Sequence, residues 1–141
     1  MGKTVLVTGA AGGIGSAVSR ALAENNYNVL LNYNTSRTAA LALEQELLDR
    51  GFKALAVKAD VSDYAQVESM FDLGRKHFGD IDLLINNAGI SQQKLFTDIT
   101  QADYNLMFDS HVRGCFNCCQ AALPSMIRKK EGKIINISSV W

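Results

Sequence analysis

Between an apolar run and a helical one the chain carries Thr8-Gly9-Ala10-Ala11-Gly12-Gly13-Ile14-Gly15. A small-residue turn at a helix N-terminus offers an anion free amide hydrogens and the positive end of the helix dipole, and glycines let the main chain approach without a Cβ in the way. A diphosphate suits such a turn, although a tight strand-to-helix connection is the plainer reading of glycines alone. Further polar groups stand where other apolar runs end: Asn34-Thr35-Ser36-Arg37, Asp60-Val61, Asn86-Asn87-Ala88-Gly89 and Ser138-Ser139. They bring hydroxyls and a guanidinium, a carboxylate, side-chain amides, and a hydroxyl pair. His111, Cys115, Cys118 and Cys119 share one side of a helical stretch. Ligands drawn from one helix cannot easily surround a tetrahedral ion, so no metal site is expected and the thiols read as core side chains.

The elements that position these groups follow from periodicity. Continuous apolar runs rich in β-branched residues, as in strands buried on both faces, are expected at 3–8, 28–33, 54–59, 81–86 and 133–138. Helical spacing fills 13–25, 36–50, 63–78 and 100–130. The alternation implies a parallel sheet with helical crossovers. Asp63-x-x-Gln66 and Thr100-x-x-Asp103 are helix-start signals, and Gly51, Gly79 and Gly132 follow helix ends. Pro124, the single proline, is expected to bend the last helix near Gln120. The 141 residues fit one domain, and 14 basic side chains balance 14 acidic ones, which gives no cause to expect nucleic acid or an anionic membrane surface. The chain opens on an apolar stretch too short for a secretory signal, and no run approaches the ~18 apolar residues of a membrane span. Clustered reduced thiols suit a cytoplasmic setting.

The spacing Gly-x-x-x-Gly-x-Gly, preceded by Thr8, departs from the Gly-x-Gly-x-x-Gly dinucleotide fingerprint. Together with Asp60-Val61, Asn86-Asn87-Ala88-Gly89 and Asn136-Ile137-Ser138-Ser139, each at the C-terminal end of an expected strand, it resembles the short-chain dehydrogenase/reductase family over the whole chain. The resemblance implies an α/β fold: a three-layer, Rossmann-type parallel sheet of five strands in the order 3-2-1-4-5, helices on both faces, residues 1–141 forming one NADP-binding domain, and the C-terminal part of the family fold missing. By the same resemblance Gly9, Gly12, Gly13, Ile14 and Gly15 would cradle the pyrophosphate. Asp60 would accept from the adenine amino group beside the Val61 backbone, and Asn86, Ala88 and Gly89 would line the ribose and the path to the nicotinamide.

An NAD-preferring site ends its second strand with an acid that binds the ribose hydroxyls. Here Leu31-Asn32-Tyr33-Asn34-Thr35-Ser36-Arg37 contains none, and Asn34, Thr35, Ser36 and Arg37 are suited to a phosphate, so NADP(H) is expected in preference to NAD(H). An ordinary solvent-exposed arginine is the alternative for Arg37.

The family's serine corresponds to Ser139, which would hydrogen-bond a ketone oxygen while a tyrosine delivers the proton. No Tyr-x-x-x-Lys occurs, since Tyr27, Tyr33, Tyr64 and Tyr104 are followed four positions on by Leu31, Arg37, Glu68 and Phe108. The chain therefore reads as a fragment, inactive alone, of an NADP(H)-dependent ketone reductase; a non-catalytic nucleotide-binding or interaction module is the reading from another class. His111 stands where the family has an asparagine that supports a proton-relay water, and a packed helix histidine is the equal alternative. Within the family the chain resembles 3-oxoacyl-carrier-protein reductases and elongation factor P 5-aminopentanone reductases. Residues 27–35, Ser110-His111-Val112 and Ser138-Ser139-Val140-Trp141 favour the second, whose ketone is carried on a protein. In the family the 100–130 helix forms a subunit interface. Met107, Phe108, Phe116 and Met126 are thus expected to leave an apolar patch that drives homo-oligomers.

Overall fold

The computed structural model describes residues 2–139. Five strands form one parallel sheet: β1 (Thr4–Val7), β2 (Asn28–Tyr33), β3 (Ala54–Lys58), β4 (Leu83–Asn86) and β5 (Lys133–Asn136). Their order is β3-β2-β1-β4-β5, as expected. The connections are α1 (Gly13–Glu24), α2 (Arg37–Asp49), α3 (Tyr64–Phe78), and the pair α4 (Gln101–Phe108) and α5 (Gly114–Lys129). Because side chains alternate across a strand, the apolar runs sort themselves between two cores. Leu6, Leu30 and Leu84 pack with Phe71 of α3 and Ala122 of α5, while Val5, Val7, Val29, Leu31 and Ile85 pack with Ala23 of α1 and Leu47 of α2. Both faces of the central strands are dry, which is why periodicity alone shows an unbroken apolar run there.

β5 differs from the expectation of two buried faces. It is the sheet edge: Ile134 packs on the α3/α5 core, whereas Ile135 on the other face is exposed. The 100–130 stretch is helical throughout but not one α-helix, because a π turn at Asp109–Arg113 separates α4 from α5. α5 runs as α-helix through Pro124, and the change of helical pairing within 100–130 falls at the π turn. Gly114, just after that turn, lies so close to Val61 that a Cβ would collide with the valine side chain. The turn thereby seats the helix on the exit of β3.

Local signals behave as their chemistry requires. The Asp63 carboxylate accepts from the amides of Ala65 and Gln66, and Thr100 and Asp103 form a reciprocal capping box. Gly51 and Gly79 leave their helices with φ of 82° and 92°, in the region that glycine tolerates. Gly132 does not have this role. Lys130, at φ 56°, takes the left-handed position after α5, and Gly132 is required because Met126 occupies the space of a Cβ. Met126 is accordingly buried at 6% exposure, which removes it from the expected apolar patch. Met107 is half-buried, whereas Phe108 and Phe116 are exposed, joined by Leu95, Phe96, Val112 and Ile127.

Asp103 also anchors the segment before α4. Its carboxylate accepts from Lys94 Nζ (2.7 Å), from the Thr100 amide (2.9 Å) and from Gln92 Nε2 (2.9 Å). The Lys94 hydrogen bond, followed by that from the Thr100 amide, holds its pKa well below the ordinary carboxylate range. A lowered native pKa means the anchor is fully present above the unfolded value, about 3.9, and is lost only as pH falls through the lower native value. Asp103→Ala is therefore expected to raise amide hydrogen exchange across 92–100 at neutral pH, whereas the wild-type segment stays protected down to pH 4; equal exchange in both would remove this role.

Candidate nucleotide-binding cleft

Above the C-terminal ends of β1, β2 and β3 opens a cleft lined by Gly9, Gly12, Asn34, Ser36, Asp60 and Ala88 among others. Three buried or half-buried polar side chains build it. Thr8 Oγ1 donates to the Ile85 carbonyl (3.3 Å) and accepts from the amides of Asn87 and Ala88 (both 2.9 Å). Asn87 Nδ2 returns the link by donating to the carbonyls of Thr8 (3.2 Å) and Gly9 (3.1 Å). Asn32 Oδ1 accepts from the Gly9 amide (3.2 Å), its carbonyl accepts from Ala10 (2.9 Å), and its Nδ2 donates to the Ala59 carbonyl (3.0 Å). The exits of β1, β2, β3 and β4 are thus tied together by side chains that satisfy main-chain groups. Thr8, Asn32 and Asn87 have no role assigned in the sequence reading. Their signal is a polar residue at the end of each apolar strand.

The glycine turn divides by physical role. Gly9, at φ 60°, lies against the Ala88 main chain, and a Cβ would stand 2.8 Å from Ala88 Cα. A Cβ on Gly15 would run into the Gly9 carbonyl oxygen. These two allow the turn to fold. Gly13 has nothing within 4 Å of a Cβ position, and Gly12 only the Gly9 carbonyl at 3.7 Å, so both face open space. Ile14 beside them is 60% exposed.

The helix starts show the same division. α3 and α4 carry side-chain caps, supplied by Asp63 and Thr100. The N-cap residues of α1 and α2, Gly12 and Ser36, both line the cleft, and these helices have no side-chain cap hydrogen bond and no acid in the first turn. Two uncapped helix starts, with their free amides and positive dipole ends, therefore meet at one opening. That is an arrangement for anionic groups at both ends of the glycine turn.

The remaining expected residues fall as follows. Asn34 and Ser36 line the cleft; Arg37, the first residue of α2, is exposed, outside the lining, and without an ion pair among the described residues. Asp60 lines the cleft with Oδ1 accepting from Ser62 N (3.0 Å) and Oγ (2.7 Å). Val61 also lines the cleft, its carbonyl accepting from Asn117 Nδ2 at 2.9 Å. Ala88 and Gly89 line the cleft, but Asn86 does not: its Nδ2 donates to Asn136 Oδ1 (2.9 Å) and Cys119 Sγ (3.4 Å) and ties β4 to β5 and α5. His111 sits on the π turn with its ring against Gly89, and its Nε2 lies 2.7 Å from the Ile90 carbonyl oxygen. Ser138 and Ser139 follow β5 and are exposed, outside the cleft lining. No group of three or more metal-ligating side chains occurs among the described residues. Likewise no helix among them is long and apolar enough to cross a membrane.

Known proteins share this arrangement. The family model for short chain dehydrogenases matches residues 3–141. The 3-oxoacyl-[acyl-carrier-protein] reductase FabG of Staphylococcus aureus is 40% identical over 140 residues, which are 99% of this chain and 57% of that protein. Oxidoreductase UcpA of Salmonella typhimurium is 39% identical over 139 residues, 99% of this chain and 52% of its own length. The chain thus spans a little over half the length of these relatives. Two crystal structures superimpose with a TM-score of 0.89, each at 36% identity over 99% of this chain. One is a blue fluorescent protein from a metagenomic library in complex with NADPH, of which 56% is covered. The other is a gluconate 5-dehydrogenase from Burkholderia cenocepacia J2315 in complex with NADP and tartrate, of which 54% is covered.

The two classes of glycine separate by measurement. Gly15→Ala is expected to cost about 1–3 kcal/mol, read as a lowered Tm, because the turn must open around the new methyl. Gly13→Ala adds its methyl to open space at a helix start and leaves Tm unchanged or higher. Equal losses in both variants would contradict the division.

Proposed function

The chain belongs to the short chain dehydrogenase family, and from that premise we propose that residues 1–141 are the nucleotide-binding unit of a cytoplasmic NADP(H)-dependent oxidoreductase that reduces a ketone to an alcohol. The observation that carries this reading is the meeting of two uncapped helix starts, α1 and α2, on one cleft with no carboxylate at the exit of β2. The open faces of Gly12 and Gly13 supply the room a diphosphate needs, since a methyl there would occupy it.

In this reading the amides of Gly13, Ile14 and Gly15 hold the diphosphate, and Gly9 shapes the turn that presents them. Ser36, the free amides of α2, Asn34 and Arg37 hold a phosphate on the adenosine ribose, Arg37 reaching in from the rim. The free Oδ2 of Asp60 accepts from the adenine amino group beside Val61, and Ala88 and Gly89 border the route to the nicotinamide. When bound, the dinucleotide supplies the hydride. Ser139 donates a hydrogen bond to the ketone oxygen, and His111 keeps the Ile90 segment docked beside that route. Asn86 acts from behind, by fixing the exits of β4 and β5.

For the substrate, a 3-oxoacyl group on a carrier protein is the better supported choice, because the 3-oxoacyl-[acyl-carrier-protein] reductase FabG is 40% identical over 99% of this chain. The elongation factor P branch has no such support. The residues that favoured it include β2 positions and Val140 and Trp141, which lie outside the described residues. Self-association through the exposed face of α4 and α5, around Phe108, Val112 and Phe116, belongs to the same reading.

Calorimetry tests this directly. The 141-residue chain is expected to bind NADPH more tightly than NADH, and Arg37→Ala to lower that preference about tenfold, the worth of one charge-assisted hydrogen bond. An unchanged preference overturns the phosphate assignment, and no binding of either nucleotide overturns the reading. Because no Tyr-x-x-x-Lys occurs in these residues, the chain by itself is expected to show no NADPH oxidation with a 3-oxoacyl substrate; turnover would refute that.

A further inference from the structure

The nucleotide reading leaves one cluster of reactive side chains unused. Cys115 and Cys119 stand one turn apart on the same face of α5, whereas Cys118 is fully buried in the α3/α5 core. Both sulfurs converge on one polar contact. Cys115 Sγ donates to Asn136 Oδ1 (3.5 Å), Asn86 Nδ2 donates to that same oxygen (2.9 Å), and Asn86 Nδ2 also donates to Cys119 Sγ (3.4 Å). Each of these two thiols is half-buried, open on one side to solvent.

A direct disulfide suits this geometry poorly. Residues one helical turn apart hold their Cβ atoms about 5–6 Å apart, whereas a disulfide draws them to about 3.8 Å. An inserted atom that bonds both sulfurs removes that conflict. We infer that Cys115 and Cys119 form a dithiol site for trivalent arsenicals, with Cys118 excluded by its burial. The step is a condensation: two As–S bonds form, two As–O bonds break, both thiol hydrogens leave as water, and neither arsenic nor sulfur changes oxidation state. Capture draws both sulfurs from the Asn86–Asn136 bridge that joins the exits of β4 and β5. Burial raises both the Cys118 thiol, to about 12, and, with Cys119 beside it, the Cys115 thiol, so what excludes Cys118 is its enclosure in the core.

The test uses the 141-residue chain with one equivalent of phenylarsine oxide, read by intact mass. One arylarsenic per chain is expected, with two thiol hydrogens lost and released by ethanedithiol but not by a monothiol. Cys118→Ala is expected to retain capture, and Cys115→Ser and Cys119→Ser to weaken it at least tenfold. Circular dichroism monitors folding, and Cys115→Ala and Cys119→Ala replace any serine variant that does not fold. No adduct on the wild-type chain, undiminished capture without Cys115 or without Cys119, or loss of capture in folded Cys118→Ala overturns the proposal. Nucleotide binding is measured separately, so failure of either reading leaves the other standing.

Discussion

A parallel sheet leaves the main chain at the exits of its strands without ladder partners, and this chain meets that constraint with side chains. Thr8, Asn32 and Asn87 accept from and donate to the peptide groups of four strand exits, so that the glycine turn is held against the β4 loop. Each such bond is worth only about 1 kcal/mol net, but a buried amide left unpaired costs more. The cleft exists because these groups are satisfied from within while the starts of α1 and α2 are not. Where a ligand would sit, the fold withholds its own caps.

The same economy of contacts explains where the backbone comes close. Gly9 meets Ala88, Gly15 meets the Gly9 carbonyl, Gly89 meets the His111 ring, and Gly114 meets Val61. These approaches draw β1, β4, the π turn and β3 around one opening. The π turn belongs to this set, since its extra residue brings Ser110 to the cleft and His111 to Ile90. Such turns occur often at functional sites because they re-aim side chains inside an otherwise regular helix.

Much of this was legible in the residues. The alternation of strands and helices, the capping box at Thr100 and Asp103, and the turn between β1 and α1 follow from periodicity and from a few chemically specific positions, and the strand order follows from the family resemblance. Less legible was everything that depends on a distant partner. Asn86 reads as a cleft residue because it belongs to Asn86-Asn87-Ala88-Gly89, yet its amide is directed to Asn136 and Cys119, 50 and 33 residues away. Met126 reads as one more exposed apolar residue of a long helix, but Gly132 gives it a place in the core. Gly132 itself reads as a helix stop, a role that Lys130 takes instead.

The sequence by itself determined the class of the fold, the order of its elements and the glycine turn, because those depend on local periodicity and on the steric freedom of residues near one another in the chain. It also set the absence of an acid at the end of β2 and of any Tyr-x-x-x-Lys in these residues. Only the tertiary structure decided which glycines serve the fold and which face open space, and which helix starts remain uncapped. It likewise decided that two thiols share a contact with the Asn86–Asn136 pair. The physical reason is that hydrogen bonds and van der Waals contacts act over a few ångströms, and neighbours at that range come from strands and helices far apart in the chain.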